Sequence, residues 1–152
     1  MPELFHLPEP SLLFGYEQAV EDPRDGLTLF GPLDAGKPYG IRAGAIGTPE
    51  GLRRFENWVQ KIQGLVTEPE ASVARPPFPG FEAAFGIPWS PTPTVRIVVP
   101  EGELRQTLYL DDRYLRVYLT VEVFSRRIIE ALRNEDTAVD VWFVIIPDEV
   151  YR

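Results

Sequence analysis

The sequence predicts an α/β fold, a small parallel sheet with Rossmann-like βαβ units preceded by a short β-hairpin-like segment. From residue 41 onward, strand-like apolar runs alternate with helix-like apolar stripes, which is typical of parallel strands joined by helical crossovers. The length of 152 residues is typical of a single domain, which has about 100–200 residues. A hydrophobic fraction of 44% is enough to build a core.

Composition excludes several classes of site. The chain has no Cys, which excludes disulfides, zinc–cysteine sites, iron–sulfur clusters and a thiol nucleophile. Its single histidine, His6, excludes a multi-histidine metal centre. The net charge of −8 disfavours a free-standing nucleic-acid binder but leaves room for a local basic pocket. The N-terminus has no signal-peptide pattern and no apolar run reaches the roughly 20 residues of a membrane span, so we predict a soluble, cytoplasmic protein without a membrane partner.

Residues 1–39 are predicted to form the N-terminal β segment. Residues 11–16 and 27–30 are apolar enough for two short strands. Between them, Pro23 and Gly26 suit a turn, because proline fixes φ and glycine allows positive φ. We expect this small element to pack on something larger.

A MID-like α/β domain is predicted over residues 40–152. Its first strand covers residues 41–46, and a helix follows in which Thr48 is the N-cap and Pro49 the first residue. Glu50 then favours the positive end of the helix dipole, and Gly64 marks the helix end. One face of this helix is apolar: Leu52, Phe55, Val59, Ile62 and Val66.

Residues 67–93 are a Pro-rich insert. This proline density excludes a continuous helix or a central strand. The insert also carries Phe78, Phe81, Phe85 and Trp89, which are too apolar for a solvated linker. We therefore expect an ordered loop that covers the sheet or a partner surface.

The second half of the domain is predicted as strand, helix and strand. Residues 94–99 are a β-branched strand stopped by Pro100. The apolar residues of 113–134 fit both the two-residue period of a strand and the 3.6-residue period of a helix. The length of the apolar stripe and an N-cap from Asp111 or Asp112 favour a helix. Residues 139–146 are nearly all apolar, as in a strand covered on both faces. Because a central strand followed by nothing leaves the sheet open, we expect a domain truncated at its C-terminus or completed by a partner.

Several residues suggest chemistry but have a simpler explanation. His6 lies in a Pro-rich tail, where a surface role is favoured over a catalytic base. Asp111 and Asp112 fit helix capping better than metal binding. Residues 44–48 resemble a nucleotide loop but lack its glycine spacing and lysine, so close strand–helix packing is favoured over an enzyme with a nucleotide-like substrate.

Two kinds of candidate binding residue remain. Arg126 and Arg127, like the pair at 53–54, fit a solvated helix face, with phosphate or partner contacts as the alternative. Tyr151 and Arg152 follow the last strand, and ligands of open α/β sheets bind beyond the carboxyl ends of strands. A tyrosine there can stack on a base and an arginine can pair with a phosphate.

Eight blocks of the sequence occur in an order that resembles a known family. They are LFG (13–15), DPRDGL (22–27), FGP (30–32), IRAGAIGT (41–48), RFENW (54–58), PFPGF (77–81), VDVWFVIIP (139–147) and EVY (149–151). Together they resemble the N-terminal part of prokaryotic Argonaute proteins, most similar to the short type built from MID and PIWI domains. The resemblance covers most of the chain.

The resemblance implies a Rossmann-like MID domain that holds the 5′ end of a guide strand. Tyr151 matches the tyrosine that stacks on the first guide base or contacts its phosphate, with Arg152 beside it. The family's downstream Lys and Gln, and the PIWI domain, lie outside this sequence. Implied partners of the complete protein are guide RNA or DNA, target DNA, the remaining MID–PIWI portion and an effector with an APAZ region. No cofactor is expected in this chain, although the complete protein has room for a divalent cation at the guide 5′-phosphate.

The leading hypothesis is therefore a non-enzymatic MID region of a short Argonaute that anchors a guide 5′ end in prokaryotic defence. Since acidic residues outnumber basic ones, we expect most of the charge that holds a guide to come from other residues or partners. The alternative is a protein-interaction module or scaffold without nucleic-acid binding.

Overall fold

A computed structural model describes residues 9–34, 36–67, 77–133 and 138–150. The chain divides into two compact units, one of residues 1–40 with 62–88 and the other of residues 41–61 with 89–152. The first break between the units lies between residues 40 and 41, whereas the sequence predicted a boundary between residues 39 and 40. The elements in chain order are β1 (Leu12–Leu13), β2 (Ala19–Val20), α1 (Pro23–Phe30), β3 (Ala43–Gly47), α2 (Pro49–Ile62), α3 (Phe81–Phe85), β4 (Val95–Val98), α4 (Glu101–Leu108), α5 (Arg113–Leu132) and β5 (Val141–Ile145). Short 3₁₀ turns occupy Gly15–Glu17 and Asp148–Val150.

The first unit contains the predicted hairpin, but with a different second strand. β1 pairs antiparallel with β2. Residues 27–30, predicted as a strand, are instead the last turn of α1. The reason lies in Asp22, whose carboxylate accepts hydrogen bonds from the backbone N–H groups of Arg24 at 2.7 Å and Asp25 at 3.4 Å. With Pro23 as the first helical residue, this cap starts a helix where a turn was expected.

In the described part of the Pro-rich segment of the first unit, the regular elements are short. Val66 and Phe78 form an isolated antiparallel bridge, and α3 is a five-residue helix. Gly80 begins that helix at φ 109°, a conformation that favours glycine. The expected absence of a long helix or central strand is confirmed for residues 77–93, while residues 68–76 lie outside the described residues.

The second unit is the predicted parallel sheet, with strand order β4-β3-β5. Both neighbours run parallel to β3. The α/β prediction and the βαβ order are therefore confirmed. Arg42 and Asp140 directly precede β3 and β5 and link the starts of the two strands. The Arg42 guanidinium donates hydrogen bonds to both carboxylate oxygens of Asp140, at 3.0 and 3.2 Å.

Helices cover both faces of this sheet. Adjacent residues of β3 point to opposite faces. On the Ala45 side, Phe143 of β5 lies 4.9 Å from Phe55 of α2 between ring centroids. On the Ile46 side lies the apolar core shared with α4 and α5: Ile46, Val99, Leu104, Val123 and Phe124.

β5 was predicted as a central strand covered on both faces, and this is wrong. It pairs with β3 on one side only among the described residues, and β3 is the central strand. Val141 and Val144 keep 37% and 43% of their surface exposed. An apolar run marks a strand but does not fix its place in the sheet.

α4 was not predicted from the sequence, whereas the helix predicted over residues 113–134 is confirmed as α5. The Asp112 carboxylate caps α5 by accepting hydrogen bonds from the N–H groups of Tyr114 at 2.8 Å and Leu115 at 3.0 Å. α4 begins after Pro100 without a side-chain cap, so its strongest local signal is absent.

Candidate ligand cleft at the carboxyl edge of the sheet

The strand order predicts where a ligand would sit. From β3 the chain crosses to β4 on one side and later to β5 on the other, so the direction of winding reverses beside β3. In open α/β sheets the crevice outside the carboxyl ends of the strands at such a reversal is the usual binding place. That crevice lies beyond the ends of β3 and β5.

A cleft of ≈ 290 Å³ opens at this place. Its walls come from the first turns of α2, from α4 and from the segment that follows β5. The apolar part of its lining includes Leu104 and Leu108 of α4 and Ile145 and Ile146 of β5 and its end. The charged part is Glu50, Arg54, Glu101, Arg105, Asp148 and Glu149.

The start of α2 is held tightly against β5. Thr48 is the predicted N-cap, and its hydroxyl oxygen accepts a hydrogen bond from the N–H of Gly51 at 3.2 Å. A Cβ on Gly51 would lie 2.9 Å from the Ile145 side chain, so glycine allows this close approach. Gly44 is similar, because a Cβ there would lie 2.6 Å from the Trp142 ring. Gly51 thus allows close approach of α2 to β5, whereas Gly44 makes room for a side chain of the neighbouring strand; the sequence predicted strand–helix packing for the glycines of residues 44–48.

Glu50 is the cleft carboxylate that is held by two arginines of α2. Its carboxylate accepts hydrogen bonds from Arg53 Nη2 at 2.6 Å and from Arg54 Nε at 2.9 Å. These hydrogen bonds, that from Arg53 first, lower the pKa of Glu50. The hydrogen bond with Glu50 raises the pKa of Arg54, and the charges of Asp148 and Glu149 add to it. The anion at the N-terminal end of α2 is thus the protein's own carboxylate.

The cleft as a whole is acidic. Four carboxylates and two guanidinium groups are among its lining side chains. Arg105 is itself 3.7 Å from the Glu101 carboxylate. An incoming phosphate would have to compete with these carboxylates for the arginines. Among the described residues, no group of three or more His, Cys, Asp or Glu side chains is arranged to hold a metal ion.

Tyr151 and Arg152, the predicted guide-binding residues, lie outside the described residues, as does His6. Their chain neighbours are nevertheless informative, since Asp148 and Glu149 line the cleft and Tyr151 follows two residues later. The role given to Tyr151 and Arg152 stays a prediction.

Arg126 and Arg127 lie on α5, which contributes no side chain to the described lining of the cleft. Arg127 donates to the Glu103 carboxylate and, at 2.7 Å, to the carbonyl oxygen of Val123. It therefore ties α5 to α4 within the fold. Arg126 is exposed to solvent. Whether either contacts a phosphate or a partner stays a prediction.

Sequence patterns alone do not assign the charged cleft residues to a site. Glu50 was read as a partner of the helix dipole, which is correct but incomplete. Glu101 and Arg105 were missed because α4 was missed, although Glu101 and Glu103 after Pro100 are a recognisable first helical turn.

Comparison with models of known protein families finds no match, and comparison with curated proteins finds none either. In the part of the chain that the structure describes, no helix has the length and apolar character needed to cross a membrane.

Proposed function

We propose that this chain is the MID region of a short prokaryotic Argonaute and helps to anchor the 5′ end of a guide nucleic acid in its cleft. The observation that carries the proposal is the position of the cleft beside β3, where the winding of the sheet reverses and where Asp148 and Glu149 line the wall just before Tyr151. The ordered sequence blocks are independent support. The protein would act in the cytoplasm, in guide-directed recognition of invading DNA.

The size of the cleft suits the end of a strand rather than a duplex. Its volume of ≈ 290 Å³ is at the lower end of the range for small-molecule pockets, about 300–1,000 Å³. One terminal nucleotide with its phosphate fits this range. The apolar lining from Leu108 and Ile146 offers a surface for the sugar or base, and a tyrosine at position 151 would add a stacking face.

The charges of the cleft define how a phosphate would bind. Arg54 lines the cleft one turn after the α2 N-terminus, where backbone dipoles favour an anion, but together with Arg53 it holds Glu50. A phosphate would take the Arg54 guanidinium from Glu50, because Arg binds phosphate with charge-assisted hydrogen bonds. The remaining positive charge would come from the MID–PIWI portion and the guide channel outside this chain. We assign no catalytic residue.

The test is binding of a fluorescent oligonucleotide with a 5′-phosphate, compared with the same strand bearing a 5′-hydroxyl, by anisotropy at low ionic strength. The expected result is tighter binding of the phosphorylated strand, weakened by Tyr151→Ala and by Arg54→Gln. Arg133→Gln is the matched control, since Arg133 is an exposed arginine at the end of α5. Equal affinity for the two strands, together with no effect of Tyr151→Ala, would exclude the cleft as a guide pocket.

A second candidate is a protein-interaction module without a nucleic-acid role. The specific observation in its favour is an exposed apolar stripe on α5, which includes Tyr114, Tyr118 and Val121. Exposed apolar patches of this kind mark interaction surfaces. Protein association without any salt-dependent oligonucleotide binding would select this candidate.

A further inference from the structure

The first two turns of α5 carry no fully buried side chain. Burial in the core begins at Thr120, whereas Tyr114 and Tyr118 keep 88% and 62% of their surface exposed. Together with Arg113, Val117 and Val121, the two tyrosines line an exposed groove of ≈ 630 Å³. The groove therefore combines two aromatic rings, two aliphatic side chains and a cation.

α5 is basic, although the chain is acidic. Residues 113–133 contain five arginines and two glutamates, a net charge of +3, whereas the whole chain carries −8. The first turn of α5 holds no acidic residue and begins with Arg113, with Arg116 one turn later. A cation at this end opposes the helix dipole, so these arginines do not stabilise the helix that carries them.

Arg113 and Arg116 are also left to pair with an external anion. Among the described residues, no carboxylate forms an ion pair with either of them. The Asp112 carboxylate instead accepts hydrogen bonds from backbone N–H groups of the first turn. Asp111 is the other carboxylate that adjoins this end of the helix in sequence, and it is exposed to solvent.

We propose that Arg113, Tyr114, Arg116 and Tyr118 form a stacking surface for single-stranded nucleic acid. Tyr114 and Tyr118 are one helical turn apart and share a face, so neighbouring bases of one strand can each meet a ring. Every base has a π-face, so such stacking needs no particular sequence. The two arginines would contact phosphates through charge-assisted hydrogen bonds. This surface would hold internal nucleotides of a strand, and it does not depend on a 5′ end bound in the cleft.

The charge favours a nucleic acid over a protein at this surface. A protein seated on the apolar side chains would gain from Arg113 and Arg116 only if it supplied carboxylates at matching positions. A nucleic-acid strand supplies a phosphate with every base, so aromatic and basic side chains are satisfied together. A duplex supplies the phosphates but hides the faces of its bases, so we expect the surface to prefer a single strand.

Anisotropy of a short fluorescent oligothymidylate with a blocked 5′ end, measured with the full chain at low ionic strength, tests the stacking. The single strand should bind more tightly than a duplex of the same length. Tyr118→Ala should weaken binding at least about fivefold, and Tyr118→Phe should retain it because the ring is kept. Tyr16→Ala is the control, since Tyr16 is 87% exposed but lies in the first unit. Melting temperatures verify that each variant is folded.

The salt dependence of the same binding tests the arginines. Arg113→Gln should lower the slope of log affinity against log salt concentration by about 0.7, the value expected for one phosphate contact on a single strand. Arg133→Gln removes the same charge at the other end of the helix, about 30 Å away, and should leave the slope unchanged.

The results that overturn the proposal differ from those that exclude the cleft as a guide pocket. Absence of salt-dependent binding, or equal binding of single strand and duplex with no effect of Tyr118→Ala, would overturn the stacking surface. A protein that binds α5 and is released by Tyr118→Ala, without oligonucleotide binding, would do the same. If only the cleft proposal fails, the preference for a 5′-phosphate disappears and binding of the blocked strand remains sensitive to Tyr118→Ala.

Discussion

Replacing Asp112 tests the local physics that turns an ambiguous sequence into α5. The Asp112 carboxylate accepts hydrogen bonds from two backbone N–H groups of the first turn, at 2.8 and 3.0 Å. Removing an N-cap acceptor of this kind destabilises a protein by about 1 kcal/mol, within a range of roughly 0.5–2. Loss of the negative charge at the positive end of the helix adds about 0.3–1 kcal/mol. For Asp112→Ala we therefore expect a loss of about 1–2 kcal/mol in the free energy of unfolding.

Two neighbouring variants separate these contributions. Asp112→Asn keeps the capping oxygen and removes the charge, so it should lose only the smaller electrostatic part. Asp111→Ala removes an adjacent exposed carboxylate that does not cap α5, and we expect a change within about 0.5 kcal/mol. Urea unfolding followed by far-UV circular dichroism measures all three, and about 2–4 °C of melting temperature corresponds to each kcal/mol for a domain of this size. Equal effects of Asp111→Ala and Asp112→Ala would refute the assignment of the cap.

Three further predictions concern the sheet and the cleft. Gly44→Ala should lower the free energy of unfolding by about 1–3 kcal/mol, because the new Cβ would lie 2.6 Å from the Trp142 ring. In the control Gly102→Ala in α4, the new Cβ meets no atom within 4 Å, so this variant should be more stable by up to about 1 kcal/mol. Equal changes of the two variants in urea unfolding would contradict the prediction. Leu104→Ala should cost about 2–5 kcal/mol in the same assay, since Leu104 is 3% exposed in the core, and a loss below 1 kcal/mol would show that the core can close over the cavity. Glu50→Gln should lower the melting temperature at neutral pH. Because the pKa of Glu50 lies below its ordinary value of 4.5, the difference in melting temperature from the unchanged chain should vanish as the pH falls through that lowered pKa. A difference that persists in acid would exclude the ion pairs of Glu50 as its cause.

The sequence predicted the elements whose signals are local. Thr48 and Pro49 mark the start of α2, and the structure has Thr48 as its cap. Asp112 and the length of the stripe at 113–134 decided for a helix, correctly, where alternation alone would have given a strand. In each case the groups that start the helix lie within a few residues of one another, so the helix can be predicted from the local sequence.

The failures share a different cause. Leu27–Phe30 alternates like a strand, but the cap at Asp22 lies five residues earlier and propagates a helix through it. β5 was recognised as a strand, yet its position at the edge depends on which strand pairs with β3, and that pairing joins residues almost 100 positions apart. Long-range pairing leaves no local mark in the run of apolar side chains, so the central place was wrongly given to β5.

The cleft depends both on long-range strand pairing and on local side chains. Its position follows from the strand order, but its ligand is decided by the side chains on its walls. At the start of α2 the Glu50 carboxylate is already held by Arg53 and Arg54, and of these two arginines only Arg54 is in the described lining of the cleft. A phosphate that took the Arg54 guanidinium would leave Glu50 with a weaker pairing beside it, so the net gain in the isolated chain should be small. Glu50→Gln removes this competition without changing the shape of the side chain. If the cleft binds a 5′-phosphate, Glu50→Gln should therefore tighten binding of the phosphorylated oligonucleotide and leave the 5′-hydroxyl strand unchanged, whereas an equal gain for both strands would mean only that the surface had become less acidic.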